Sequence, residues 1–339
     1  MSDRFLREEY RARINRVEDF IQANLDQELN LARLAEVAAF SKYHFSRIFA
    51  MMTGESLFHY IQRLRVERAA SLLLSNPRRS ITDIAFACGF SSIQAFSRAF
   101  SGRFGLSAGS WRKLGGRTPE TLGRLGPSTS TGARGLLPGA EVQPVRVDVV
   151  QAEAVEVIYL RYTGPFQGDS GLFAELFGRL SSWAAARSLL TPQTRSFCMV
   201  HDNPAVTDDR RIRLSCCLSV PPEVQPEGEI GRMTIAGGRC ARARFIIDDR
   251  QYGQAWAYLY ARWLPGSGYQ PAEQPAFEEY PAETGESRPA GGAPAGSNQA
   301  DSTQSAAAPA GSTAASVSGA AEETRPKHQV LLWLPVQPL

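Results

Sequence analysis

Two short stretches carry side chains suited to reading the edges of base pairs. On a helix over Lys42 to Met52, residues Phe45, Ile48, Phe49 and Met52 share one face at i, i+3, i+4 and i+7, which frees Tyr43, Ser46, Arg47 and Ala50 on the other. A second helix packs Phe96, Ala99, Phe100 and Phe104 and frees Gln94, Ser97, Arg98 and Ser101. Arginine pairs with guanine, glutamine with adenine, and serine adapts to a donor or an acceptor, so such faces fit a helix lying in a major groove. Either face alone also fits an ordinary solvated helix. Their recurrence at matching positions is what favours base reading.

The elements behind these faces repeat as well. Leu31–Ser41 (LARLAEVAAFS) aligns with Ile81–Ser91 (ITDIAFACGFS) at a shift of 50, pairing Leu34 with Ile84, Ala35 with Ala85 and Phe40 with Phe90. After one inserted residue the shift is 51, and Phe45, Ser46, Arg47, Phe49, Gly54 and Ser56 meet Phe96, Ser97, Arg98, Phe100, Gly105 and Ser107. Two copies are too few for a solenoid, so they read as two similar helix-turn-helix modules side by side. Asn30, Ser41 and Ser80 are expected N-caps. Between the modules, Leu57–Ser75 has apolar residues at helical spacing, and its 19 residues predict a rod of roughly 28 Å. Recognition helices held about 34 Å apart would enter successive major-groove turns from one side of the duplex.

Charge is distributed to match. Residues 1–114 carry 17 Lys and Arg against 11 Asp and Glu, whereas residues 144–280 carry 14 against 16. The basic half is the half with the repeat, and its excess suffices for several phosphate contacts. No run of about 18 apolar residues and no apolar leader segment is present, so a soluble, cytoplasmic protein is expected. The five cysteines form no CxxC pair and have no histidine at zinc spacing, which predicts buried thiols and no metal or other cofactor.

Residues 115–143 are rich in Gly, Pro, Ser and Thr and are expected to be a flexible linker. Through such a tether, sensing would act by domain docking, contact with RNA polymerase or local concentration. Beyond it the pattern turns mixed. VRVDVV and VEVIYLRYTG read as strands, Leu172 to Leu189 as a helix, and SFCMVH and RIRLSCCLSV as strands; GRMTIA, RCARARFII, a helix over Arg250 to Trp263 and FEEY repeat the order. Residues 281–327 are too rich in Ala, Gly, Ser and Pro to form a core and are expected to be a disordered insertion. Gln329–Val336 then reads as the strand that the insertion displaced.

The first 114 residues resemble the AraC/XylS family of bacterial transcription regulators. The resemblance rests on IAFACGF, the paired F-S-R-x-F, R-x-E-R-A-A-x-L-L, and a closing G-x-S-x-x-x-W-R in which Ala108 stands where the family has proline. It implies DNA contacts at Ser41, Lys42, Tyr43, Ser46 and Arg47, and at Ser92, Ile93, Gln94, Ser97 and Arg98. Ile93 would either touch a thymine methyl or pack. Residues 145–280 resemble the GyrI-like effector-binding domains through Tyr162-Thr163-Gly164-Pro165, His201-Asp202-Asn203-Pro204, Gly237-Gly238, Trp263-Leu264-Pro265 and Phe277-Glu278-Glu279-Tyr280. That resemblance implies a cleft between two βαββ halves, with Tyr162, Trp263, Glu278 and Tyr280 facing a small hydrophobic or cationic effector. Strand alternation puts Glu278 and Tyr280 on one face and Phe277 on the other. Alternatively, Glu278 is a surface residue or is paired internally with Arg213 or Arg161.

The expected fold is therefore multidomain: an all-α double helix-turn-helix domain over 1–114, a linker over 115–143, and an α+β domain of two pseudo-repeated βαββ units over 144–339 with an insertion at 281–327. The expected function is DNA-binding transcription regulation in response to a small-molecule effector, without catalysis, with promoter DNA, the effector and RNA polymerase as partners. A small-molecule hydrolase and a protein-interaction module are the alternatives for the second half.

Overall fold

The computed structural model describes residues 3–116, 142–204, 206–281 and 327–339. Most of the expected linker over 115–143, residues 117–141, and most of the expected insertion over 281–327, residues 282–326, lie outside the described residues. The N-terminal half is helical: α1 Asp3–Ala23, α2 Leu31–Val37, α3 Lys42–Thr53, α4 Leu57–Ser75, α5 Ile81–Ala87, α6 Ile93–Phe104 and α7 Ala108–Lys113. Of the three caps that the sequence indicates, Asn30 and Ser80 act through their side chains. The side chains of Asn30, Ser56, Ser80, Ser92 and Ser107 accept bonds from the first turns of α2, α4, α5, α6 and α7. Ser41 takes the N-cap position of α3 without a side-chain cap bond.

Each helix-turn-helix unit has its own core. Ile14, Val17 and Ile21 of α1 close over Leu34, Phe45, Phe49 and Tyr60 in the first. In the second, Ile84, Phe96, Phe100 and Trp111 pack against Ala69, Ala70 and Leu73 of α4. The linking helix thus serves both units, its N-terminal half the first and its C-terminal half the second.

Among the described residues the C-terminal half is built on a nine-stranded antiparallel sheet: β1 Arg146–Ala152, β2 Val155–Thr163, β3 Ser196–Val200, β4 Arg213–Ser219, β5 Gly231–Ile235, β6 Gly238–Ile247, β7 Tyr269–Pro271, β8 Phe277–Tyr280 and β9 His328–Pro338. The order is β1-β6-β9-β8-β3-β4-β2-β5, with β7 paired to β9. Sequence indicated a strand over Gln329–Val336; it is β9, and it lies between β6 and β8 rather than at an edge. Helix α8 Ser170–Ala185 follows β2, and α9 Tyr252–Tyr258 follows β6, continuing through a π-helical turn Leu259–Trp263.

Strand alternation gives the sheet two unlike faces. The front carries Leu160, Cys198, Cys216 and Leu218 under α8, and Ala243, Phe245, Val330 and Leu332 under α9. The back carries Val157, Tyr159, Phe197, Met199, Phe277 and Trp333. On β2 and β4 that back face turns polar, at Arg161, Arg213 and Ser215, and it is there that the helical half docks. Arg161 reaches Asp19 of α1 at 2.6 Å. Arg213 donates to the Tyr60 hydroxyl of α4 at 2.8 Å and to Gln22 of α1 at 2.9 Å.

All five cysteines are buried thiols. Among the described residues no helix is long and apolar enough to cross a membrane.

Candidate functional site

The two reading helices present the faces that their periodicity indicates. Ser41, Lys42, Tyr43, Ser46 and Arg47 are all exposed, as are Gln94, Ser97 and Arg98. Tyr43 is 80% exposed, with the Lys42 ammonium 5.2 Å from its ring. Ser92 is half-buried because its hydroxyl caps α6. Ile93 is half-buried against the second core, so of its two roles the structure shows packing. Among the described residues, no hydrogen bond or ion pair ties these reading side chains to the sheet domain. Docking therefore leaves both faces open, on two helices joined by a 19-residue α4.

The second candidate site lies on the front of the sheet. Glu278 on β8 is half-buried, accepting from the indole of Trp256 at 2.8 Å and from the Tyr280 hydroxyl at 2.6 Å. Burial pushes its carboxyl above the ordinary range, with those two hydrogen bonds pulling the other way. The internal pairing that would have neutralised it is not made. Arg213 is committed to Asp202, at 2.6 Å, and Arg161 to Asp19; among the described residues no cation pairs with Glu278. Phe177 stands edge-on to Tyr280 at 5.8 Å, and Trp256, Tyr252 and Phe173 extend the wall. A half-buried carboxylate framed by aromatic rings and lacking a counter-charge suits an apolar cation, which would gain both ion pairing and cation–π contact.

Two of the four cleft residues that the sequence singled out sit elsewhere. Trp263 packs against Ala241, Leu334 and Val336 and does not line the cleft. The reason is the π-helical turn Leu259–Trp263, which adds a residue to the helical turn and shifts every later side chain around the axis. Trp256, one regular helix earlier, faces the cleft instead. Tyr162 is on the front face but packs into the α8 core, its hydroxyl donating to the Pro165 carbonyl at 3.2 Å. The missed signal for Trp256 was available, since it shares a helical stripe with Tyr252 and Tyr260. Nothing in the spacing marked the π turn.

The docked back face holds a network that sequence reasoning missed. Arg213 meets Asp202 through Nε at 2.8 Å and Nη2 at 2.6 Å; Arg213 opposes burial and holds the Asp202 carboxyl below its ordinary value. His201, the first residue after β3, has Nε2 2.8 Å from the Ser215 hydroxyl and 3.3 Å from Arg161. Burial, with Arg161 and then Arg213 adding repulsion, keeps it well below its usual value and so neutral. Tyr159 donates to Asp19 from the same face. The available signal was an arginine within each of two largely apolar strands, β2 and β4.

Comparison with known proteins agrees with this division. A helix-turn-helix domain model matches residues 34–114, and a GyrI-like small molecule binding domain model matches residues 146–290. The chain is 34% identical over 112 residues to the transcriptional regulator Rob of Salmonella typhimurium, covering 31% of this chain and 38% of that protein. It is 33% identical over 103 residues to the HTH-type transcriptional regulator YbfP of Bacillus subtilis, covering 30% and 35%. Among solved structures, the C-terminal domain of the response regulator AraT from Geobacillus stearothermophilus is 32% identical with a TM-score of 0.29, covering 30% of this chain and 84% of that one. The chain thus spans less than two-fifths of the length of these two curated relatives. A helix-turn-helix domain and a GyrI-like small molecule binding domain thus lie in one polypeptide, and over the first of these the chain is similar to transcriptional regulators.

Proposed function

We propose that this chain is a one-component transcription regulator. Residues 1–114 read promoter DNA, residues 115–143 link, and residues 144–339 sense a hydrophobic or cationic small molecule, with RNA polymerase as a further partner. The observation that carries the reading is the pair of exposed, positionally matched helix faces on either side of α4. Arg47 and Arg98 are the base- or phosphate-contacting arginines. Lys42 and Tyr43 in one unit against Ile93 and Gln94 in the other make the two half-sites unequal, so the operator is not a palindrome. Selection of bound sequences from random DNA by the full chain tests this. A bipartite, asymmetric site is the expected result, and a palindrome or no enriched sequence would refute it.

The sensing cleft divides two βαββ halves. The strand order supports this reading: β6-β9-β8 of one half abuts β3-β4-β2 of the other, and β1 and β5 cap the opposite edges. Glu278 is the anionic floor, with Trp256, Tyr280 and Phe177 as the aromatic walls. Titration of tetraphenylphosphonium against the wild type and Glu278→Gln, followed by tryptophan fluorescence, checks the assignment. Affinity should fall about tenfold or more in the variant, the loss of a charge-assisted contact in a desolvated site. Equal affinity would remove Glu278 from the site, and turnover of a reactive ester in place of binding would favour a hydrolase.

A further inference from the structure

The loop joining β3 to β4 touches both helix-turn-helix units, beside the end of the first reading helix and, through Glu67 of α4, within reach of the end of the second. At the first unit, Arg211 reaches Glu55 at 2.7 Å, one residue beyond the Gly54 that ends α3. At the second, the Thr207 hydroxyl donates to Glu67 of α4 at 2.9 Å. Glu67 also receives Arg103, from the last turn of α6, at 2.9 Å. Arg63 bridges the two acids, to Glu55 at 2.6 Å and to Glu67 at 3.1 Å. The result is a continuous row, Arg211–Glu55–Arg63–Glu67–Arg103, running from one reading helix to the other. Its centre is withdrawn from solvent, the side chains of Glu55, Arg63 and Glu67 being 11%, 10% and 5% exposed, while the end members Arg211 and Arg103 are 41% and 36% exposed.

Buried alternating charges enforce geometry, because each partner's position is set by two others and a lone member would be left desolvated and unpaired. Here the geometry enforced is the separation and relative angle of α3 and α6. The ends of the loop are fixed in turn. Asp202 is clamped by Arg213, Asn203 donates to Ser71 of α4 at 2.9 Å, and Val206 packs into the second core. A bipartite reader needs such control, since two recognition helices must match two groove openings at one spacing.

We propose that the β3–β4 loop braces the two reading helices, with Thr207 and Arg211 as positioning residues that set the half-site spacing the protein accepts. The proposal rests on the DNA-reading function above and assigns the sheet domain a part in DNA specificity that is independent of the effector.

The test uses full-length protein and the sequence it selects from random DNA, together with versions in which one or two base pairs are added or removed between the halves. Wild type should discriminate against each altered spacing by about tenfold or more. Thr207→Val with Arg211→Gln should reduce that discrimination below about threefold while leaving base preferences within each half unchanged, and Thr207→Ser with Arg211→Lys should restore most of it. Thr207→Val alone removes one hydrogen bond and guards against misfolding; it should show an intermediate loss. Unchanged spacing discrimination in the double variant would overturn the brace. So would a uniform loss of affinity at every spacing, which a merely structural role predicts. Failure of the wild type to select any bipartite sequence would instead overturn the DNA reading itself, and the brace with it.

Discussion

The two helix-turn-helix units share a template yet differ in how firmly each is held. Both turns close with the same bond, Phe40 to the Ala35 carbonyl and Phe90 to that of Ala85. Both reading helices end on a left-handed glycine, Gly54 and Gly105. At the matching turn position, however, the first unit forces Ala39 to φ 52° whereas the second uses Gly89 at φ 81°. The second unit caps its reading helix with Ser92, and Ser41 of the first makes no such bond. The second also extends its core along Phe96, Phe100, Phe104 and Trp111. The first relies on α1, and α1 is the helix that Arg161 and Arg213 grip. One unit is stabilised from within, the other by what docks against it.

The sharpest way to break that contrast is Arg213→Ala. Removing one member of a buried pair leaves Asp202 uncompensated and should cost about 3–5 kcal/mol, read by denaturant unfolding of the full chain, with the first unit losing hydrogen-exchange protection before the second. Equal loss in both units would contradict the difference. The same network sets a pH limit. His201 is held below its ordinary value, chiefly by burial, so the unfolded chain takes up the proton first; its contribution is intact above about pH 6.5 and is lost as pH falls below that. Asp202, held low by Arg213 against burial, contributes above about pH 3.9 and loses that contribution on further acidification. Melting temperatures between pH 8 and pH 5, compared with His201→Gln, check the first of these.

Exchanging the turn residues probes the template itself. Gly89→Ala would place a Cβ 2.1 Å from the Leu25 carbonyl oxygen and should destabilise by more than roughly 1–3 kcal/mol, the cost of strained left-handed backbone alone. Ala39→Gly relieves the corresponding strain and should stabilise by up to about 1 kcal/mol. Thermal denaturation of the two variants should move in opposite directions. The smallest difference concerns the caps. Ser92→Ala should cost about 1 kcal/mol, whereas Ser41→Ala should leave stability unchanged and affect only DNA affinity.

Most of the fold was legible because it is local. The 3.6-residue stripes and caps located α2 to α6, and the predicted span of α4, Leu57–Ser75, is the observed one. Period-two alternation found the strands other than the three-residue β7 and set Glu278 and Tyr280 against Phe277. What escaped was non-local. Arg161 and Arg213 take partners 142 or more residues away in sequence, on α1 and α4, and spacing within a strand carries no record of them. The cleft was half legible for the same reason: Glu278 and Tyr280 follow from one strand, while Trp256 replaces Trp263 through a π turn that has no periodic signature.

Strand β9 sits between β6 and β8, pairing with Ile247 through Cys240 on one side and with Phe277 through Glu279 on the other. During synthesis the reading helices, whose contacts are local, can form early, but the sheet cannot close until residues 328–338 have left the ribosome. Glu278 is backed by that late strand, at Leu332. There is thus an interval in which a nascent chain has its self-sufficient second helix-turn-helix unit assembled while its sensor is still open.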